Sequence, residues 1–222
     1  MVGNGQGERW RPPRGRHGLP PEVVARSQRD RLLEATMRIV AEKGFAATTV
    51  TDLTGGAGIS RTTFYELFAD KEACFLAAYD NALDGLGRRV SIAFEAQERW
   101  PDRVRAGLVA LLEVLAASPA QARLALVDIA SAGPAAQRRH RATVQRLTPF
   151  LDEGRDFAPL GRSLPANTSR MAAGAVAGLI SEELVADRSD RLGDLLPDLL
   201  FATLVPYLGP RAAVAEMGGK PK

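Results

Sequence analysis

Apolar residues recur every three or four positions along most of the chain, the spacing that places side chains on one face of an α-helix. Strand-like alternation of useful length is absent from the sequence. The pattern predicts an all-α fold with helices over about residues 22–43, 49–57, 61–68, 71–98, 102–116, 119–131, 134–153, 168–186 and 191–207. Pro149 and Pro197 interrupt two of these segments and predict kinks or breaks there, because proline removes a helical hydrogen bond.

The same pattern divides the chain into four segments. Residues 1–21 are rich in Gly, Pro and Arg and predict a disordered basic arm. The pattern predicts a small helical domain over residues 22–80 and a larger helical domain over residues 81–208. It predicts a disordered tail over residues 209–222. The arginines of the arm suit a DNA minor groove or phosphate backbone, and the composition suits a solvated tail equally well, so both interpretations stay open.

Composition narrows the class of protein. A chain of 222 residues with a net charge of +3 is only mildly basic, which is compatible with nucleic-acid binding but does not require it. The lone Cys74 excludes an internal disulfide and a zinc site built from several thiolates, and no long apolar segment predicts a leader or a membrane span. We therefore expect a cytoplasmic protein without metal or cofactor. His17 and His140 are the two histidines, and neither accompanies a catalytic constellation, so we expect no enzyme.

Residues 60–68 carry the pattern of a recognition helix. Ser60 is suited to cap a helix that starts at Arg61, and Phe64, Leu67 and Phe68 lie at the spacing of one buried face. A recognition helix needs polar residues at its N-terminus for base edges and an apolar opposite face for packing. On spacing alone, however, Phe64, Tyr65 and Phe68 are more often core residues than interface residues.

The run from Thr48 through Ala73, with Gly58-Ile59-Ser60-Arg61-Thr62-Thr63-Phe64-Tyr65 at its centre, resembles the motif of TetR-type regulators. The resemblance covers about residues 28–80 and implies a helix-turn-helix domain that binds a DNA operator. It assigns operator contacts to Ser60, Arg61, Thr62, Thr63, Tyr65 and Lys71, and a phosphate contact to Thr49 through its hydroxyl or amide. Tyr65 is thereby predicted to face outward.

Two details depart from the usual pattern of the family. Gly55 and Gly56 stand inside the first short helix of the motif, and each glycine costs about 1 kcal/mol relative to alanine. The sequence therefore predicts that this helix ends early or flexes. Leu67 stands where many relatives carry histidine, which removes one phosphate donor.

By the same resemblance, the last two long helices form a homodimer interface and the middle helices enclose a small-molecule effector. Helix 168–186 is rich in Ala and Gly, which permit close helix approach, although a monomer's own core explains such residues too. An apolar effector pocket is predicted to be lined by Leu111, Leu115, Leu124, Val127, Val144 and Leu147. The basic run around His140 is interpreted as a solvated helix face, and Cys74 as a small buried apolar residue.

The resulting hypothesis is a dimeric transcriptional regulator, most often a repressor in this family, that binds a palindromic operator and is released by an effector. Two alternatives stay open. One is a helical ligand-binding or enzymatic bundle whose DNA-binding head is degenerate, supported by the Gly55-Gly56 pair. The other is a DNA-binding regulator without a small effector.

Overall fold

A computed structural model of the chain describes residues 20–157 and 163–218, with the side chains at 130 and 131 left out. All regular secondary structure in these ranges is helical, as the sequence predicted. The helices are α1 (Pro21–Lys43), α2 (Val50–Ala57), α3 (Arg61–Leu67), α4 (Lys71–Glu95), α5 (Trp100–Ala117), α6 (Pro119–Leu126), α7 (Pro134–Gln145), α8 (Thr148–Asp152), α9 (Gly154–Phe157), α10 (Thr168–Val185), α11 (Leu196–Leu208) and α12 (Pro210–Met217). Of the predicted N-terminal arm, only its last two residues lie within the described residues.

Three predicted helices are broken in the structure. The segment 119–131 is α6 followed by a 3₁₀ helix over Asp128–Ser131, and the segment 191–207 is a 3₁₀ helix over Ser189–Leu195 followed by α11. The segment 134–153 divides into α7 and α8. Pro149 and Pro197 each occupy the first turn of a new helix, which confirms the predicted breaks, since proline lacks the N–H that a helix interior needs.

The first hydrophobic core, called the head core, lies among α1, α2, α3 and the first half of α4. Its largest fully buried side chains include Leu32, Leu53, Phe64, Phe75 and Tyr79. Side chains from much later in the chain complete this core: Leu124 of α6, Ile129 of the 3₁₀ turn and Ala136 of α7 are fully buried against it. The head is therefore packed directly onto the middle helices.

The second hydrophobic core, called the body core, is built by the second half of α4 with α5, α10 and α11. Trp100 stands at one end, where its ring packs 4.9 Å from the ring of Tyr207 and its Nε1 donates to the carbonyl of Phe150. Gly154 lies against this ring, and a Cβ atom there would approach Trp100 to 2.4 Å. Because α4 contributes to both cores, one continuous helix joins the two halves.

The C-terminal segment contains a helix where the sequence predicted a disordered tail. Helix α12 covers Pro210–Met217, and its Ala213 is fully buried in the body core. Arg99 holds it by an ion pair to Glu216 at 2.6 Å, and Arg105 donates to the Glu216 carbonyl. The prediction of disorder was wrong at 210–217, because packing on α11 and bonds to the distant Arg99 and Arg105 fix a helix that is too short to be stable alone.

Helices α5 and α6 meet at a bend of 112°. Together this bent pair has the length and apolar composition that a membrane span requires, and within the described ranges no single helix has both. Six large apolar side chains of α5 are buried in the body core: Trp100, Val104, Leu108, Leu111, Leu112 and Leu115.

Candidate nucleic-acid interface

Local caps define the two short helices of the predicted motif. Thr49 begins α2 with a capping box, in which its hydroxyl accepts from the Asp52 amide while the Asp52 carboxylate accepts from the Thr49 amide. Helix α2 ends at Gly58, which adopts a left-handed conformation with φ 65° that glycine tolerates without strain. Thr49 thus fixes the start of α2, and Gly58 makes the turn toward α3.

The expected phosphate contact of Thr49 has a competitor inside the protein. The Asp52 carboxylate accepts hydrogen bonds from both the amide and the hydroxyl of Thr49, at 2.8 and 2.6 Å, and pairs with Lys43 at 2.6 Å. Hydrogen bonds from Lys43 and Thr49 hold the pKa of Asp52 well below its ordinary value, so the carboxylate stays charged. The amide and the hydroxyl of Thr49, the two donors predicted to contact a phosphate, are thus both hydrogen-bonded to Asp52.

Helix α3 separates a polar outer face from an apolar inner face. Ser60 caps the helix, with its hydroxyl accepting from the Thr63 amide at 2.9 Å. Phe64 is fully buried in the head core and its ring lies 6.3 Å from that of Phe68, whereas Tyr65 is 52% exposed. The structure thus has Tyr65 facing outward, as predicted, and leaves Arg61 and Thr62 exposed beside it.

Lys71, which was expected to contact the operator, is bound within the head. Its ammonium donates to the carbonyls of Phe45 and Thr48 at 2.9 and 2.8 Å and lies 4.5 Å from the centre of the Phe45 ring. These bonds tie the start of α4 to the loop before α2. A direct operator contact has only the third N–H of this ammonium available.

The Gly55-Gly56 pair has a packing explanation that the sequence did not reveal. Helix α2 runs past both glycines to Ala57, so the prediction that it ends early was wrong. A Cβ atom at Gly56 would lie 2.7 Å from Cδ1 of Ile39 on α1, whereas one at Gly55 would meet nothing within 4 Å. Gly56 therefore permits close approach of α1 and α2, and the pair no longer supports a degenerate head.

Two titratable groups, Cys74 in the head core on α4 and His140 on α7, are wholly or partly shielded from water. Cys74 is buried with its sulfur 3.3 Å from the Thr36 hydroxyl, and burial raises its pKa to about 11, as expected of a small buried residue. His140 is half-buried rather than solvated, and burial lowers its pKa. The residues around it in the basic run, Arg138, Arg139 and Arg141, are exposed as predicted.

A cavity of about 50 Å³ lies in the body core. Its wall is apolar apart from Thr203, whose hydroxyl donates to main-chain carbonyls of α11. The lining residues are Val90, Phe94, Val104, Gly107, Leu108, Leu111, Leu147, Phe150, Leu151, Ala173, Val176 and Thr203. Helices α4, α5, α10 and α11 form the wall with the short helix α8.

Of the six residues expected to line an effector pocket, Leu111 and Leu147 line this cavity. Leu115 is buried elsewhere in the body core, and Val127 and Val144 pack against its edge. Leu124 belongs to the head core instead. The expectation for these four residues requires correction, because helical spacing shows that a residue is buried without showing which of two cores it enters.

An exposed apolar stripe runs along α10. Met171, Gly174, Ala175, Gly178 and Val185 follow one face of this helix and are exposed, with Met171 at 71% and Val185 at 59%. Phe201 of α11 is also exposed. Other small residues expected at an interface, Ala172 and Ala173, are buried in the chain's own core, so only part of the predicted set faces outward.

The geometry of α2 and α3 agrees with a comparison of the sequence with known families. Residues 32–78 match the profile described as bacterial regulatory proteins, tetR family. Residues 32–78 therefore form a DNA-binding domain of the TetR family type. The matched region spans the head, from the middle of α1 into α4, and includes the whole helix-turn-helix.

Individual relatives support this assignment over different lengths. The HTH-type transcriptional regulator EthR of Mycolicibacterium smegmatis is 35% identical over 114 residues, which are 51% of this chain and 52% of EthR. The chain thus matches about half the length of this relative. An uncharacterised HTH-type regulator of Bacillus subtilis, YerO, is 41% identical over 51 residues, covering 23% of this chain and 18% of YerO.

Solved structures share the fold over nearly their full length. The fatty acid degradation regulator FadR from Bacillus halodurans superposes with a TM-score of 0.69 at 16% identity, covering 88% of this chain and 99% of FadR. FadR from Bacillus subtilis, solved in complex with stearoyl-CoA, has a TM-score of 0.65 at 15% identity, covering 81% and 98%. At these identities the likeness establishes the architecture of head and body.

Proposed function

We propose that the protein is a dimeric transcriptional regulator, acting as a repressor in the cytoplasm, that binds a palindromic DNA operator and is released by a small apolar effector. The observation that carries the proposal is the two-sided α3 helix. Its back is anchored by the fully buried Phe64, and its front presents Arg61, Thr62 and Tyr65 to solvent. A helix anchored in this way can insert its N-terminal polar face into a major groove.

The exposed residues of α3 divide into two roles. Arg61 and Tyr65 offer donors to phosphates and base edges, while Thr62 offers a hydroxyl and a methyl group to base edges alone. Ser60 and Thr63 fix the start of the helix, since the Ser60 hydroxyl caps it and lies 2.9 Å from the Thr63 hydroxyl. We assign Lys71 and Thr49 mainly to holding the head together, in keeping with their internal hydrogen bonds.

The α10 stripe supports a dimer. Two copies related by a twofold axis would bury Met171, Val185 and Phe201 together with the exposed glycines, which allow the helices to approach closely. Such a dimer presents two α3 helices to successive major grooves of a palindrome. The repressor role rests on the family resemblance.

The cavity supports control by a ligand. Val90 and Phe94 of α4 form part of its wall, and the same helix reaches the head core at Phe75 and Tyr79. At about 50 Å³ the cavity is smaller than the roughly 150 Å³ site that holds a benzene molecule. A larger ligand therefore has to displace wall residues, and displacement of α4 changes the spacing of the two heads.

Selection of binding sites from a random DNA library tests the DNA-binding part directly. The purified protein is expected to enrich a palindrome, and the enriched site is then used in gel-shift and footprinting assays. Tyr65→Phe is expected to weaken binding to every sequence, and Thr62→Ala to change which base is preferred. Arg138→Ala, on the exposed face of α7, is the matched control. Enrichment of no site, or unchanged affinity in both α3 variants, contradicts the proposal.

A further inference from the structure

The short helix α8 closes one side of the body cavity. Phe150 and Leu151 of α8 line the cavity, and the two carboxylates that follow them hold the segment in place. Asp152 accepts a hydrogen bond from Ser169 on α10, and Glu153 pairs with Arg103 of α5 at 2.6 Å. This cover is thus fastened on both flanks by polar contacts at its end, although its inner surface is apolar.

Arg103 contacts Phe94, one of the residues that form the cavity wall. Its guanidinium carbon is 4.3 Å from the centre of the Phe94 ring, and its Nε donates to the Phe94 carbonyl at 3.4 Å. The next residue, Val104, and Gly107 one turn further along α5 both line the cavity. Phe94 also packs against Phe150 of the cover at 4.9 Å. Arg103 therefore lies against the outer side of a ring that forms the cavity wall.

The guanidinium has donors to spare. Glu153 accepts from Nη1 and the Phe94 carbonyl from Nε, and within the described parts of the chain the Nη2 group donates to no acceptor. Arginine carries five N–H donors in a planar fork that matches a carboxylate or phosphate. Inside the cavity, by contrast, the Thr203 hydroxyl is already bonded to the chain, so the wall offers a ligand apolar surface alone.

Taking the cavity as the effector site proposed above, we propose that the effector is an amphiphile with an apolar chain and an anionic head group. Arg103 binds this head group in place of Glu153. The body of the ligand displaces Phe150 and Leu151 and occupies the widened cavity. The anionic head group of the ligand replaces the Glu153 carboxylate on the Arg103 guanidinium, so the charge of Arg103 stays compensated throughout. A cationic head would instead meet Arg103 as a like charge.

Three probes of equal chain length and different head test this assignment: octanoate, octanol and octylamine. Their affinities for the full-length protein are measured by calorimetry, and ligand-induced protection against heat is measured in parallel. We expect octanoate to bind about tenfold more tightly than octanol, the effect of one hydrogen bond to a charged group, and octylamine to bind most weakly. Arg103→Gln is expected to abolish the preference for octanoate while octanol still binds.

Two further variants sharpen the test. Arg99→Gln neutralises a neighbouring arginine that is also ion-paired, but to Glu216 rather than beside the cavity, and it is expected to keep the octanoate preference. Glu153→Gln removes the internal competitor and is expected to strengthen octanoate binding several-fold. Equal affinity for the three probes, or a preference that survives Arg103→Gln, overturns the head-group assignment and leaves the cavity as an effector site. If none of the three probes binds, both the head-group assignment and the proposed effector site are overturned.

Discussion

The two hydrophobic cores of this protein differ in how they are closed. The head core is completed by Leu124, Ile129 and Ala136, three fully buried residues from the middle of the chain. The body core keeps a cavity and is covered on one side by the short helix α8. A close-packed core transmits displacement, whereas a core with a cavity can change shape. The difference suits the body to respond to a ligand and the head to move as one unit.

The comparison also shows where the halves are joined. Helices α6 and α7 contribute to both cores, because Leu124 and Ala136 enter the head core while Ala122 and Val144 pack in or against the body core. Together with α4 they connect the wall of the cavity to the base of the head. Rearrangement of the body therefore has two routes to α3, through α4 and through α6 with α7.

The largest expected effect tests the close packing of the head. Phe64→Ala removes a fully buried ring and is expected to lower the free energy of unfolding by about 3–5 kcal/mol. Tyr65→Ala removes an aromatic ring of similar size from the exposed face and is the matched control, with an expected loss below about 1 kcal/mol. Urea denaturation measures both. Similar losses in the two variants would show that the head core is not close-packed around α3.

The contribution of Leu124 to the head core can be tested separately. Leu124→Ala is expected to lower the free energy of unfolding by about 2–5 kcal/mol, since the leucine is fully buried between the halves. Val127→Ala, one turn further along and only half-buried, is expected to lose less. Denaturation followed by operator gel shift detects both the loss and its effect on the head. If Leu124→Ala lowers the free energy of unfolding by less than Val127→Ala does, α6 does not stabilise the head core.

A smaller effect distinguishes the two glycines of α2. Gly55→Ala is expected to stabilise the protein by up to about 1 kcal/mol, because alanine favours the helix and its Cβ meets nothing within 4 Å. Gly56→Ala is expected to stabilise the protein less than Gly55→Ala does, or to destabilise it, because its Cβ would lie 2.7 Å from Cδ1 of Ile39. Thermal unfolding of the two variants decides between them. Equal gains would show that α1 and α2 are less closely packed than described.

The smallest effect concerns the thiol in the head core. Burial raises the pKa of Cys74 from 9.0 to about 11, so its thiolate is roughly a hundredfold scarcer than that of a free cysteine near neutral pH. A thiol reagent is expected to label Cys74 slowly in the native protein and rapidly in urea. As pH rises through the pKa of the unfolded thiol, the unfolded state loses its proton first and stability falls. Rapid native labelling would show an open head core.

The features that the sequence predicted correctly depend on residues close together in the chain. Thr49, Ser60 and Asp70 cap their helices through hydrogen bonds to amides three residues away, so a local pattern is enough to locate α2, α3 and the start of α4. The buried Phe64 and exposed Tyr65 follow from helical spacing in the same way. Pro149 and Pro197 marked real breaks, because proline acts on its own turn.

The features that the sequence did not reveal depend on contacts between distant residues. Ala213 is buried in the body core, and Arg99 and Arg105, more than a hundred residues earlier, hold α12 there by hydrogen bonds to Glu216. Leu124 has the same helical spacing as residues of the body core, and tertiary packing alone assigns it to the head. The position of Arg103 is of this kind too, since its partner Glu153 lies 50 residues later, between α8 and α9.

The Asp52 carboxylate has a consequence for how the head would hold DNA. The N-terminus of a helix normally attracts a phosphate, but here Asp52 already takes both donors of Thr49 and pairs with Lys43. Each phosphate that a protein neutralises releases counterions and steepens the dependence of affinity on salt, by about 0.9 in the logarithmic slope. Because the Lys43 charge is already paired with Asp52, this end of the head has one cation fewer to neutralise a phosphate. Operator binding is therefore expected to be less sensitive to ionic strength and to depend more on groove contacts made by α3.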